Sequence, residues 1–173
     1  VIGNRNVPFI AVYRPEHYHE KEILSPWSFG DTVCSYSYEG FEGKPIKAEI
    51  YSDAGEVELF LNGKSLGRKT ITDEDKMVAL YDFTYEPGEL KAVNYRDGVA
   101  CEEHTIRSAS GERKLIVELE SEKASLERND VIFVKVSVAD ADGIVYIQDK
   151  SRVKLTVEGP AELTGFANDD PCP

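Results

Sequence analysis

The chain has 173 residues, 41% of them hydrophobic and 30% charged, with a formal net charge of −12. That content is normal for a folded protein and argues against disorder. No apolar run approaches membrane-spanning length, and the acidic balance makes nucleic acid and anionic membranes poor partners. Length allows one large or two small domains. The first residues, Val1–Asn4, include no Met and no charged-then-apolar leader, which suggests a piece of a longer chain.

Residues 1–43 do not share the pattern of the rest. Phe9, Ile10, Val12 and Tyr13 follow Pro8 and precede Pro15, a spacing compatible with either a short helix or an extended segment. From Lys44 the pattern becomes regular. Ile46, Ala48 and Ile50 alternate, Asp53–Gly55 is a turn, and Val57, Leu59 and Leu61 alternate again. Asn62-Gly63 is the strongest local signal for a tight hairpin, so Lys64–Ile71 is read as the return strand. Residues 72–76 form a charged loop tip. Tyr81, Phe83 and Tyr85 share one face of the next strand, and Pro87-Gly88 sits in a turn. Strands at Leu90–Tyr95 and Val99–Ile106 pair across Asp97-Gly98. Short strands at this spacing predict an all-β sandwich.

Ser108–Gly111 is small and polar and marks the domain boundary. Beyond it, strands are expected over Lys114–Glu120, at Ile132, Val134, Val136 and Val138, and at Val153, Leu155 and Val157, with a turn at 140–143.

Several motifs invite chemical readings. Gly63–Gly67 satisfies G-x-S-x-G, but a nucleophile elbow joins a strand to a helix, whereas this one runs into a strand. The phosphate-loop reading of Gly63-Lys64-Ser65 fails because Glu58 stands where the first glycine is required. His17, His19 and Glu20 have no nearby partner to complete a metal site. Asp140, Asp142 and residues 168–170 resemble scraps of a calcium loop, yet Asp-Gly is also the ordinary hairpin turn. No cofactor or metal is expected. Cys34, Cys101 and Cys172 form no disulfide framework. Cys101 is expected to be a small buried hydrophobe, and a Cys34–Cys101 bridge stays open. The aromatics Trp27, Phe29, Tyr36, Tyr38 and Phe41, flanked by Glu39 and Glu42, fit either sugar stacking or ordinary packing.

The run over 57–67 and the run over 85–93 together resemble the β-sandwich domain that follows the catalytic barrel in family 2 glycoside hydrolases of the bacterial β-galactosidase type. Residues 157–163 and 168–171 resemble the immunoglobulin-like domain that comes next in those enzymes. The resemblance implies two consecutive immunoglobulin-like β-sandwich domains, the second with its closing strands missing, preceded by an irregular linker. The implied divisions are 1–43, a linker from a catalytic barrel; 44–109, the first sandwich; and 110–173, the second domain. An incomplete second sheet is expected to show an open edge and half-covered apolar residues. No catalytic residue carries over, because the acid pair of that family sits on the barrel. The implied role is a non-catalytic accessory region, with a carbohydrate-binding module as the alternative. Expected partners are the barrel of the same chain, a second copy and carbohydrate. Tyr13, Trp27, Phe29 and Tyr38 are the candidate barrel-packing or sugar-contact aromatics.

Overall fold

The computed structural model describes residues 6–19, 30–121, 123, 125 and 130–167. Trp27, Phe29, Glu20, Cys172 and the acidic run at 168–170 lie outside them. Among the described residues there are ten strands, two single 3-10 turns and no α-helix.

Alternation builds the first unit. In β3 (Pro45–Tyr51), Ile46, Ala48 and Ile50 point inward, and in β4 (Glu56–Leu61), Val57, Leu59 and Leu61 do the same. Each of the Ile, Val and Leu side chains among them is worth roughly 1.5–3 kcal/mol when fully buried. The return strand β5 (Lys64–Thr70) pairs with β4 across Asn62-Gly63, with a register shift between Glu58 and Phe60. Its exposed lysines and arginine suit an edge strand. β6 (Val78–Thr84) joins β3, while β7 (Glu89–Arg96) and β8 (Val99–Arg107) form the second hairpin.

The segment expected to be a linker contributes two more strands. Phe9–Tyr13 is extended (β1) and lies along β3 in antiparallel register, and Thr32–Val33 (β2) pairs with its end. The reason is periodicity: Ile10 and Val12 are two apart, both fully buried, and complete the first sheet's inner face. Pro15 then opens a 3-10 turn at Pro15–His17.

The result is two antiparallel four-stranded sheets, ordered β2-β1-β3-β6 and β5-β4-β7-β8. The core lies between them, with Tyr36, Tyr38, Tyr81 and Tyr85 adding aromatic volume to the aliphatic rows. Asp53–Gly55 therefore carries the chain from one sheet to the other.

The second unit is a ribbon of β9 (Lys114–Leu119) and β10 (Val134–Ala139), extended by one bridge between Ala139 and Val145. Leu115, Val117 and Leu119 of β9 stand opposite Val138, Val136 and Val134 of β10. That row is apolar throughout, and Leu115, Val117, Leu119 and Val134 are exposed. The strand expected at Val153, Leu155 and Val157 does not form a ladder. A strand requires a neighbour's backbone groups, and alternation alone does not supply them.

Cys101 corrects another expectation. It is exposed on β8, the outer strand of its sheet, and its thiol donates to the Asn94 carbonyl. Cys34 is also exposed, and both are free thiols.

Candidate functional site: the junction between the two units

Tyr85 prepares the junction. It sits at the corner between β6 and β7, the place of the tyrosine corner in immunoglobulin-type sandwiches. Its hydroxyl accepts the Tyr38 N–H at 3.0 Å and donates to the Tyr36 carbonyl at 3.3 Å. The rings of Tyr36 and Tyr38 both pack edge-on against it. Ser108, just past β8, donates to the same Tyr36 carbonyl. The segment before β3 is thereby fastened to the residues that leave the first unit.

The next residues are fastened too, although their composition reads as flexible. The Ala109 N–H donates to Ser37 Oγ at 2.8 Å, and the Ser110 N–H donates to Asp140 Oδ2 at 3.0 Å. Asp140 is buried, and its Oδ1 accepts the N–H groups of Asp142 and Ile144. These backbone donors, first those of Ser110 and Ile144, hold its carboxyl below the ordinary aspartate range. The Asp-Gly turn at 140–143 is thus a structural turn whose carboxylate also latches the joint.

Arg113 spans the two units. Its guanidinium meets Glu39 of the first unit and Asp149 of the second, the latter at 3.2 Å. It also lies over the Tyr146 ring at 4.7 Å, and the Tyr146 hydroxyl donates to the Gly111 carbonyl. Glu39 is largely exposed, so its pair with Arg113 contributes little. Asp149 is only 6% exposed in its side chain. The Ser151 hydroxyl and N–H hold its carboxyl low, with Arg113 adding to the effect.

Between these contacts lies a groove of about 570 Å³, lined by Glu39, Glu42, Ser110, Arg113, Tyr146 and Gln148 among others. Junctions of this kind are common places for ligands. Arg113, Glu39 and Asp149 nevertheless face one another, and Glu42 accepts the Gly40 N–H, so the groove's chemistry is largely spent on holding the units together.

The aromatics singled out from the sequence are not brought together as one platform. Tyr38 is fully buried, and burial pushes its phenol well above the usual range. Tyr13 is half-buried on β1 and donates to Glu49. Trp27 and Phe29 lie outside the described residues. His17 bonds Asp31 at 2.6 Å, beside an Arg14–Asp31 pair. Among the described residues no three His, Cys, Asp or Glu converge on a point where a metal would sit. Ser65 donates to Glu58 on the outer face of the β4–β5 hairpin, and no helix follows it. Arg113, Tyr146 and Asp149 are the residues that sequence reasoning passed over, since no local motif marks them.

Two family models match in tandem along this architecture. Residues 43–102 match a domain of unknown function, DUF4982, and residues 115–173 match the glycoside hydrolase family 2 C-terminal domain 5. The chain resembles the C-terminal β-sandwich domains of family 2 glycoside hydrolases. A β-galactosidase of Bacteroides ovatus is 31% identical over 121 residues, covering 70% of this chain. A β-glucuronidase of Formosa agariphila is 25% identical over 161 residues, covering 91% of this chain. Against these two relatives the chain spans 14% and 15% of their length. A crystal structure of a glycosyl hydrolase family 2 member from Bacteroides cellulosilyticus superposes with a TM-score of 0.70 at 31% identity. That match covers 80% of this chain and 18% of the other.

Proposed function

We propose that this chain is the non-catalytic C-terminal accessory region of a glycoside hydrolase of the β-galactosidase type. In this reading it packs beside the catalytic barrel of the same parent chain and contributes shape and rigidity. The observation that carries it is the tandem match: a domain of unknown function followed by the family 2 C-terminal domain 5, on a backbone that follows a family 2 member over most of the chain. The electrostatics support it. Glycoside hydrolysis needs one carboxyl kept protonated near neutral pH and a second that is ionised. Asp140 and Asp149, the carboxyls fixed most firmly at the junction, are both pushed toward ionisation.

The test is an assay of the purified chain with chromogenic aryl β-galactosides and β-glucuronides. No turnover above the buffer rate is expected. Hydrolysis that co-purifies with the chain overturns the reading. The same preparation, run through gels containing galactan, xylan or glucan, is expected to migrate unretarded. Retardation on any of them replaces the architectural role with that of a carbohydrate-binding module. Self-association is a sedimentation measurement on the same sample, where a monomer mass at every concentration removes the second copy from the partners.

A further inference from the structure

We propose that His104 is a proton-controlled latch: as the neutral imidazole it holds the N-terminal strand β1 against the opposite sheet, and once protonated it lets that edge go. The latch follows from an unequal pairing of β1. On one side β1 runs along β3 from Phe9 to Val12. On the other, β2 is two residues long and reaches only Val12 and Tyr13. Ile10 is paired with Ile50 in β3, and its N–H is directed away from that strand, beyond the reach of β2. His104 of β8, in the other sheet, takes it: the Ile10 N–H donates to Nδ1 at 3.2 Å. Phe9 covers the imidazole face, with ring centroids 5.7 Å apart and planes 13° from parallel. One side chain thus substitutes for a missing ladder partner and ties the two sheets together at an edge.

The chemistry fixes the protonation state. A ring nitrogen that accepts an N–H carries no hydrogen, so His104 is the neutral Nε2–H tautomer. Protonation places a hydrogen on Nδ1, and a donor then faces a donor. The neighbours do little to favour the cation. From β1 come the Phe9 ring and the Ile10 amide, neither of them charged. From β7, Ala92 stands opposite. Lys91, next to it, is engaged with Glu103 at 3.5 Å, and Asn94 is bonded to Ser52 and to the Asn6 carbonyl. On β8 itself Glu102 is drawn to Arg96. Burial of the ring lowers its pKa from 6.5. A depressed folded value means the stabilisation is complete above the unfolded value and is lost as pH falls through the folded one.

Hydrogen exchange of the Ile10 amide, followed by NMR between about pH 8 and about pH 5, tests the latch in the window where histidine titrates. After correction for intrinsic rates, wild-type protection is expected to fall roughly threefold to tenfold on acidification, the factor for one net hydrogen bond. The Ala48 and Leu59 amides serve as core references. In His104→Asn the amide oxygen stands where Nδ1 stood and does not titrate, so protection is expected to stay level with pH. Wild-type protection that is unchanged down to the acid end overturns the proposal, as does a His104→Asn profile that follows the wild type. If that variant fails to fold, the imidazole nitrogen shifts of the wild type decide. The Nε2–H form supports the latch, and an Nδ1–H form refutes it.

Discussion

Tyr85 fastens separate stretches of chain with one hydroxyl, which is why its effect exceeds that of a single core phenol. The Tyr38 N–H that it accepts is buried, and the Ser108 hydroxyl lies 3.3 Å away. Tyr85→Phe keeps the ring contacts with Tyr36 and Tyr38 and strands the Tyr38 donor. Leaving such a buried group without its partner costs about 1–3 kcal/mol. The expected outcome is a lower urea midpoint with an unchanged slope; an unaltered midpoint shows that water or a shifted Ser108 replaces the hydroxyl. Asn94 is a second buried polar tie, accepting from Ser52 at 2.7 Å and donating to the Asn6 carbonyl at 3.0 Å. Asn94→Leu fills similar volume but removes both bonds. It is expected to destabilise by about 1–3 kcal/mol on the same argument, with hydrogen exchange near β1 rising more than in the β7–β8 hairpin. A uniform rise would instead mean that the cost is general repacking.

The turns show what one sequence states openly and what it hides. Asn62-Gly63 and Asp97-Gly98 both adopt paired positive φ angles, 51° and 79° in the first and 52° and 77° in the second, as tight hairpins of this kind require. Lys76 and Met77 adopt 53° and 64°, nearly the same geometry, with residue types that give no hint of it. The left-handed conformation costs an ordinary side chain roughly 1–2 kcal/mol, so the Lys76→Asn, Met77→Gly double variant is expected to raise the thermal midpoint. Calorimetry checks it, and a lowered midpoint would show that Met77, about half exposed, packs more usefully than its position suggests. The same division runs through the fold. The alternation at Ile46–Ile50 and Val57–Leu61 is local, and so the sandwich and its central hairpin were legible. The place of β1 was not, because its partner β3 lies some forty residues away and only that pairing decides between helix and strand. Tyr36 and Tyr38 were visible as aromatics, but their direction depends on Tyr85. Arg113, Tyr146 and Asp149 meet only once the second unit is folded, and Glu39 reaches Arg113 only across the joint, so no spacing could reveal the junction.

At the scale of the whole molecule, acid should act in two separable steps. The first, near the histidine range, concerns His104 and the edge of the sandwich. The second concerns the junction, where backbone N–H groups hold the Asp140 carboxylate and depress its pKa below the ordinary aspartate value of 3.8. A lowered folded value means that this contribution is present above that figure and is lost as pH falls through the folded value. Below it, Ser110, Asp142 and Ile144 lose a charged acceptor together, and the two units should part before the sandwich core melts. Small-angle scattering is expected to show the radius of gyration rising there while the sandwich retains its strand signal in circular dichroism. Asp140→Asn imposes the same loss at neutral pH, because an amide can offer the Ser110 N–H only a weaker acceptor or an opposing donor. Arg107, Arg113 and Lys114 flank the joint, so trypsin reads its opening directly. Cleavage there is expected to run several-fold faster in the variant than in the wild type, with sites inside β3 and β7 unchanged. Equal rates at the joint would mean that Arg113 and its partners hold the units without Asp140. Faster cleavage everywhere would mean that the latch supports the sandwich itself and not merely the orientation of the second unit.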